Sequence, residues 1–434
     1  MALPTQPYKG ARDFYPEDKR LQKYLFQVMR SVVERYGYEE YDAPLIEPLE
    51  LYQAKTGEEI VNEQTYSFTD RGNRQVAIRP EMTPTVSRMV AARRQELAYP
   101  LRWYSIPNLW RYERPQRGRL REHWQLNVDL FGVDNMHAEQ EIIQIADDIM
   151  QTYGAKRSQY NIRLNSRKLT DSFLLDYLQL DQVQANTLRR LIDRVEKITH
   201  AEFTAQADAI LTPSQREAGI GEHLVEIIKV EDLQELPEKL YKHPSVQEVK
   251  QLIELLHTSN IKNVIFDFTL MRGFDYYTDI VFEIFDTHPD NNRSLFGGGR
   301  YDGLISLFGV EPLPTVGFGM GDVSLANFLE THDLVPTLTT ETDAYVVLIG
   351  DVYEYALPML ADLRQMDVNL AVDTSGRKPA NQLKMAVKKG IPYAIFVGEK
   401  ELADEHYTLK NLITGKEERH GLQRIVTIIK DYRR

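Results

Sequence analysis

Apolar and polar residues change period repeatedly along the chain, and the changes mark out its elements. From Leu21 to Tyr36 the apolar positions recur at helical spacing, ending at Gly37; the run EEYDAPLIEP follows, and Pro44 and Pro48 restrict it to strand or loop. Gln75 onwards reads as a strand that passes, after the proline of RPEMTP, into a helix reaching Val90. The aromatic-rich runs LRWYSIPNLWRYE and HWQLNVDLFGV predict paired strands around a loop of charge, and Ala138 to Tyr153 turns helical again. Between Leu169 and Ser259 nearly every segment is helix-like and charged, as in VQANTLRRLIDRVEKI and SVQEVKQLIELLHT, which reads as an inserted helical module. Strands then resume with NVIFDFTL and DIVFEIF, followed by the glycine cluster FGGGRYDG and the run TVGFGMGDVSLANFLE.

Past Leu334 the threonine-rich PTLTTETD reads as a linker. Beyond it come YVVLIG, a helix with apolar positions Ala356, Leu357, Leu360 and Leu363, then VNLAVD, a helix through Leu383 to Lys388, and PYAIFVG. That β-α-β-α-β order predicts a separate α/β domain of about 90 residues with a largely parallel sheet. The expected division is a first domain from Met1 to Asp333, carrying the helical insertion, and a second from Thr342 to Arg434.

Composition narrows the chemistry. The 434 residues fit two or three domains, and 42% apolar residues suffice for real cores. No stretch approaches the ~18 uncharged apolar residues of a membrane span. The opening MALPTQPYKGARD lacks the layout of a secretory leader, so the expectation is a soluble cytoplasmic protein without membrane contact. With no cysteine, disulfides, thiolate nucleophiles and Cys-ligated zinc drop out, and no histidine pair has helical metal-site spacing, so metal ligands stay unassigned. Carboxylates, arginine, tyrosine and histidine must carry any reaction. A net charge of −12 argues against non-specific DNA binding, yet WRYERPQRGRLRE and SGRKPANQLKMAVKKG are locally basic.

Three stretches carry candidate chemistry. In QLNVDL a period of two sends Gln125, Asn127 and Asp129 to one face and Leu126, Val128 and Leu130 to the other, which fits a lined pocket as well as a half-exposed antiparallel strand. The five arginines from Arg111 to Arg121 suit a triphosphate or a nucleic-acid backbone, because the guanidinium clamps phosphate bidentately; a solvated charged hairpin fits the same spacing. LMRGFDYYTD sets a guanidinium, a glycine and two phenols at a strand's end, and the glycines of FGGGRYDG and GFGMG suit close approach of backbone to a ligand.

Together these stretches resemble the histidyl-tRNA synthetases, of class II. RGFDYYT is similar to the family's own arginine-glycine-x-aspartate-tyrosine-tyrosine loop, KGARDFYPED to its N-terminal stretch, LWRYERPQRGRLREHWQ to motif two and GFGMGDVSL to motif three. The Pro44 region resembles motif one, a dimerisation element, and RPEMTP, GGGRYDGL, SGRKPANQLKMAVKKG and VGEKELADEHYTLKNL also match, so the resemblance covers nearly the whole chain. It implies an α+β fold: an antiparallel-sheet catalytic domain with a helical insertion, plus a C-terminal α/β anticodon-binding domain. The implied partners are L-histidine, ATP with Mg2+, tRNA(His) and a second copy of the chain.

The same resemblance implies roles residue by residue. Arg111 and Arg272 match the two arginines that flank the α-phosphate. Asp129 and Tyr277 match the pair that grips the imidazole, Glu81, Thr83 and Gln125 match positions holding the ammonium end, and Tyr276 lines the site. Glu113 and Arg119 fall among the nucleotide contacts. Two departures stand out. Asp129 replaces the glutamate of many bacterial members, and Ser324 stands where the motif-three arginine that stacks on adenine and meets the γ-phosphate is expected. An active enzyme must then recover that contact elsewhere, with Arg119 the first expectation and Arg300 and Arg88 behind it. The alternatives are a synthetase-like regulatory subunit of histidine biosynthesis and a non-catalytic tRNA sensor.

Overall fold

A computed structural model of the chain describes residues 3–53, 64–271, 276–291 and 293–433. These form two compact units, Met1–Val335 and Pro336–Arg434.

The first unit is built on a mostly antiparallel sheet. Among the described residues its strands run in the order Glu39–Glu40, Leu101–Ser105, Glu122–Phe131, Thr315–Gly321, Ser294–Arg300, Ile280–Asp286, Tyr160–Ser166 and Val264–Phe266, with Asn108–Trp110 pairing beside the long central strand. Only the two outermost pairings are parallel. The central strand divides its side chains as the period of two requires: Leu126, Val128 and Leu130 enter the core, each such burial stabilising by roughly 2 kcal/mol. The helices Pro16–Arg35 and His137–Thr152 cover that apolar face. In the former, proline in the first turn and Glu17 and Asp18 suit the positive end of the helix. Its buried positions Leu25, Met29, Val32 and Val33 lie on one stripe, and the helix stops before Gly37, whose φ of +79° is a conformation other residues resist.

The helical segment is largely as its pattern predicts, with Leu188, Ile192, Phe203 and Leu224 turned into a shared core. Asp181, Thr199 and Thr212 cap successive helices by accepting backbone N–H bonds. NVIFDFTL differs from expectation: its strand is confined to Val264–Phe266. Asp267 breaks the ladder because its carboxylate accepts the Thr269 N–H at 2.9 Å and the Thr269 hydroxyl, folding the chain into a local turn.

The second unit holds a five-stranded sheet in the order Leu370–Val372, Ala344–Leu348, Tyr393–Val397, Tyr407–Asn411, Glu417–His420. The first three strands are parallel, as their helical crossovers demand. The last two are antiparallel, so the sheet is mixed rather than largely parallel. A short turn through Gly415, φ +77°, joins Tyr407–Asn411 to Glu417–His420 and is too short for a parallel crossover. In the helix Tyr353–Gln365, Met359 rather than Leu357 completes the buried stripe with Ala356, Leu360 and Leu363.

Candidate active site

The polar face of the central strand is longer than its pattern suggested: it begins at His123 and continues through Gln125 and Asn127 to Asp129. At a rise of about 3.4 Å per residue, the row spans roughly 20 Å. Room above it comes from the neighbouring strand, where Gly317 lies opposite Asp129 and Gly319 opposite Asn127. A Cβ on Gly319 would stand 2.8 Å from the Gln125 carboxamide carbon, and one on Gly317 would run into the Asp129 carboxylate. Glycine at both positions therefore keeps the row clear.

Asp129 ends the row, buried in the protein. Its Oδ1 accepts a hydrogen bond from the Tyr301 hydroxyl, while Oδ2 is buried with no partner. Burial pushes the carboxyl up to about 7, against the smaller stabilising effect of the Tyr301 hydrogen bond. Tyr301 meets Tyr276 edge to face, with ring centroids 5.7 Å apart, and Tyr276 packs on Tyr277 at 4.9 Å. The Tyr276 hydroxyl donates to Glu81 Oε2 at 3.2 Å. Asp129, Tyr276, Tyr277 and Glu81 are thus brought into one buried network. Its connecting member, Tyr301, escaped the sequence reading; its signal lay in GGGRYDG, where a phenol follows the glycine strand directly.

The other end of the row opens into a cleft of 1740 Å³ lined by Arg111, Glu113, Arg119, His123, Gln125 and Ser324, among others. Arg111 is fixed through Nε, which donates to the Pro80 carbonyl at 2.9 Å, so the same side chain steadies the loop that presents Glu81. Arg119 is well exposed, with Glu113 4.0 Å away. Thr83 is half-buried at the start of the helix Thr83–Ala92, two residues beyond Glu81. His123 is a second residue that the sequence reading missed. Burial, reinforced by the positive Arg111 and Arg12, lowers its imidazole to about 3, so it presents a neutral ring to the cleft.

Arg272 lies outside the described residues, as do Gly273 and Asp275. Arg300 and Arg88, considered for the contact missing at Ser324, are committed elsewhere. Arg300 is buried against Glu139, with bonds of 2.5 and 2.9 Å, and Arg88 meets Glu47 at 2.7 Å. Ser324 itself donates from Oγ to the Leu295 carbonyl at 2.7 Å, which ties the helix Asp322–Thr331 to the strand Ser294–Arg300. Just before Ser324, Asp322 accepts the Trp124 N–H at 3.0 Å and a bond from Arg12 at 2.8 Å. The N-terminal stretch therefore braces the same corner.

Beyond the sheet, the cleft is walled by the helical segment through Arg189, Arg190, Arg194 and Lys197. Among the described residues no cluster of three or more histidine, cysteine or acidic side chains could hold a metal ion by itself. Glu113 and Glu283 do line the cleft, and one or two carboxylates are what Mg2+ takes from a protein when phosphate and water supply its other ligands. No described helix is long and apolar enough to cross a membrane.

Comparison with known proteins agrees along the chain. The family model described as histidyl-tRNA synthetase matches residues 10–322, and the anticodon binding domain model matches residues 343–432. The histidine–tRNA ligase of Leptospira biflexa is 47% identical over 412 residues, covering 94% of each chain. That of Thermoplasma volcanium is 36% identical over 411 residues, covering 94% of this chain and 95% of its own. Among solved structures, histidyl-tRNA synthetase from Nostoc sp. PCC 7120 superposes with a TM-score of 0.83 over 99% of this chain and 100% of its own at 23% identity, a likeness of fold.

Proposed function

The chain belongs to the histidyl-tRNA synthetase family, and from that membership we infer that it is a histidine–tRNA ligase, joining L-histidine to tRNA(His) with ATP as the activating substrate. In the first step a histidine carboxylate oxygen attacks the α-phosphorus of ATP. The bond to the bridging oxygen breaks and pyrophosphate leaves with the electron pair. In the second, a hydroxyl of the terminal tRNA ribose attacks the carbonyl carbon of the adenylate, and AMP leaves. Charge develops on the transferring phosphorus in the first step, and positioned cations are the main means of stabilising it.

The observation that carries the residue assignment is the buried, unpartnered Oδ2 of Asp129 at the end of the polar row. An unmatched buried acceptor costs about 1–3 kcal/mol, and an imidazole N–H is a ligand that meets it. In this reading Tyr277 serves the other ring nitrogen, Tyr276 walls the ring, and Glu81, Thr83 and Gln125 hold the ammonium group. Arg111, and Arg272 from the loop outside the described residues, flank the α-phosphate. Glu113 and Arg119 face the nucleotide, and the neutral His123 ring offers it an apolar face. Mg2+ would be held chiefly by phosphate oxygens, with Glu113 and Glu283 the nearby carboxylates, and would supply charge neutralisation when bound. The insert arginines suit the backbone of the incoming tRNA end. A homodimer working in the cytoplasm completes the proposal.

The test is amino-acid-dependent exchange of pyrophosphate into ATP. Histidine alone should support it, because a pocket built to pair both imidazole nitrogens leaves its polar groups unmatched with any other side chain. Comparable exchange with another amino acid would refute the assignment of the pocket.

A further inference from the structure

We propose that Arg293, on the lip of the cleft, binds the terminal phosphates of ATP and provides the cation that position 324 does not; the inference rests on the reading of the cleft as a nucleotide site. Arg293 immediately precedes the strand Ser294–Arg300 and stands two residues from Leu295, whose carbonyl receives the Ser324 hydroxyl. It lines the same cleft as Ser324, Arg111 and Arg119, and it is exposed.

What separates Arg293 from its neighbours is its freedom. Arg111 donates to Pro80, Arg163 pairs with Asp267 at 3.0 Å, Arg119 has the Glu113 carboxylate 4.0 Å away, and Arg167 is engaged as well. Among the described arginines on the sheet side of the cleft, the Arg293 side chain alone makes neither a hydrogen bond nor an ion pair. A long cationic side chain with no protein partner, facing a cleft that receives a polyanion, has its full set of donors available. Arg300 and Arg88 would have to break buried or half-buried pairs to do the same.

Three elements meet at this corner and hold it in shape. Arg117 from the arginine-rich loop and Asn291 from the turn before Arg293 both donate to the Thr331 hydroxyl, each at 3.1 Å, so loop, turn and helix Asp322–Thr331 are joined. The Ser324 bond to Leu295 adds a third tie. A serine here draws the helix start onto the strand and leaves the space above it to a guanidinium arriving from Arg293. Ser324 and Arg293 thus make one exchange, with the charge moved from the helix to the start of the strand Ser294–Arg300.

The experiment measures binding of ATP, ADP and AMP to the full chain by calorimetry, alongside histidine-dependent pyrophosphate exchange. Arg293→Ala should weaken ATP about tenfold or more while AMP binds as before. Arg293→Lys should fall between, and the KM for histidine should hold. Adding Ser324→Arg to Arg293→Ala should restore most of the lost ATP affinity. Unchanged ATP binding by Arg293→Ala, an equal loss for AMP, or a larger loss of ATP-over-AMP preference in Arg119→Ala would each overturn the proposal. If the parent chain binds ATP but shows no histidine-dependent exchange, the enzymatic reading fails, and the binding comparison still decides the role of Arg293.

Discussion

The Tyr301 hydroxyl donates to one oxygen of Asp129 while the other oxygen, equally buried, is left without a partner. This asymmetry divides the carboxylate: one oxygen is spent on the protein and the other keeps its capacity to accept. A phenol at the end of Ser294–Arg300, two strands over in the sheet, thus settles which oxygen a ligand meets, and its ring links Asp129 to Tyr276 and onward to Glu81.

Tyr301→Phe removes that orienting bond and keeps the ring packing. The KM for histidine should rise about tenfold, the worth of one hydrogen bond to a charged group, with the KM for ATP unaffected. Because the hydroxyl favours the ionised carboxyl, its loss should also move the acid limb of the pH profile for histidine towards higher pH. Parallel rises in both KM values would reduce Tyr301 to a general structural residue.

Asp129 should weaken the ligand-free protein in alkaline solution. Its folded carboxyl stands at about 7, above the ordinary value of 3.8, so the native state holds the proton more tightly than the unfolded chain. Stability from this site is present below the ordinary value and declines as pH rises, with the full cost of a buried charge felt above about 7. Asp129→Asn, which can still accept from Tyr301, should therefore raise Tm more at about pH 8 than at about pH 5, by a few kcal/mol equivalent, while abolishing histidine activation. An identical Tm difference at both pH values would show that the carboxyl is not perturbed as its burial implies.

Much of this site was legible because the period of a strand is strict. With Gln125, Asn127 and Asp129 on one face, the same period of two places His123 there as well. The glycines facing the row were legible as close approach, though which side chains they cleared was not. Tyr301 and Arg293 were hidden for a different reason. Each owes its place to contacts between segments far apart in sequence, the strand register Gly299 to Gly317 to Asp129 in one case and the helix-to-strand tie of Ser324 to Leu295 in the other. Local pattern carries no information about such partners. The mixed sheet of the second unit was missed similarly, since a hairpin after three parallel strands leaves the earlier β-α-β rhythm untouched.

Arg300 belongs to the scaffold, although its motif lies beside the site. Arg300 is 5% exposed and Glu139 3%, and removing one member of such a pair strands the other charge in the core. Arg300→Met should cost about 3–5 kcal/mol of stability, and Arg300→Met with Glu139→Leu should recover much of it. The protein that remains folded should show an ordinary KM for ATP. A large ATP defect with unchanged unfolding would return Arg300 to the nucleotide site.

Each of the two units closes its own hydrophobic core: Val346, Leu360, Ile395 and Ile425 are among the residues of the second, and none of its buried members is shared with the cluster around Leu126 and Val128. A chain ended at Thr342 should therefore fold, since the cluster around Leu126 and Val128 is built entirely from residues before the cut. It keeps every residue assigned to histidine and ATP, so histidine-dependent pyrophosphate exchange should persist within about threefold of the full chain. Transfer to tRNA is another matter. Residues 343–432 match the anticodon binding domain model, and binding energy collected far from the reacting ribose is what raises kcat/KM for a large substrate. Charging at low tRNA concentration should fall by about a hundredfold or more, chiefly through KM, and recover partly as tRNA is raised. Charging that survives the cut undiminished would mean that the tRNA is held by the catalytic unit alone, with the basic wall of the helical segment as its seat.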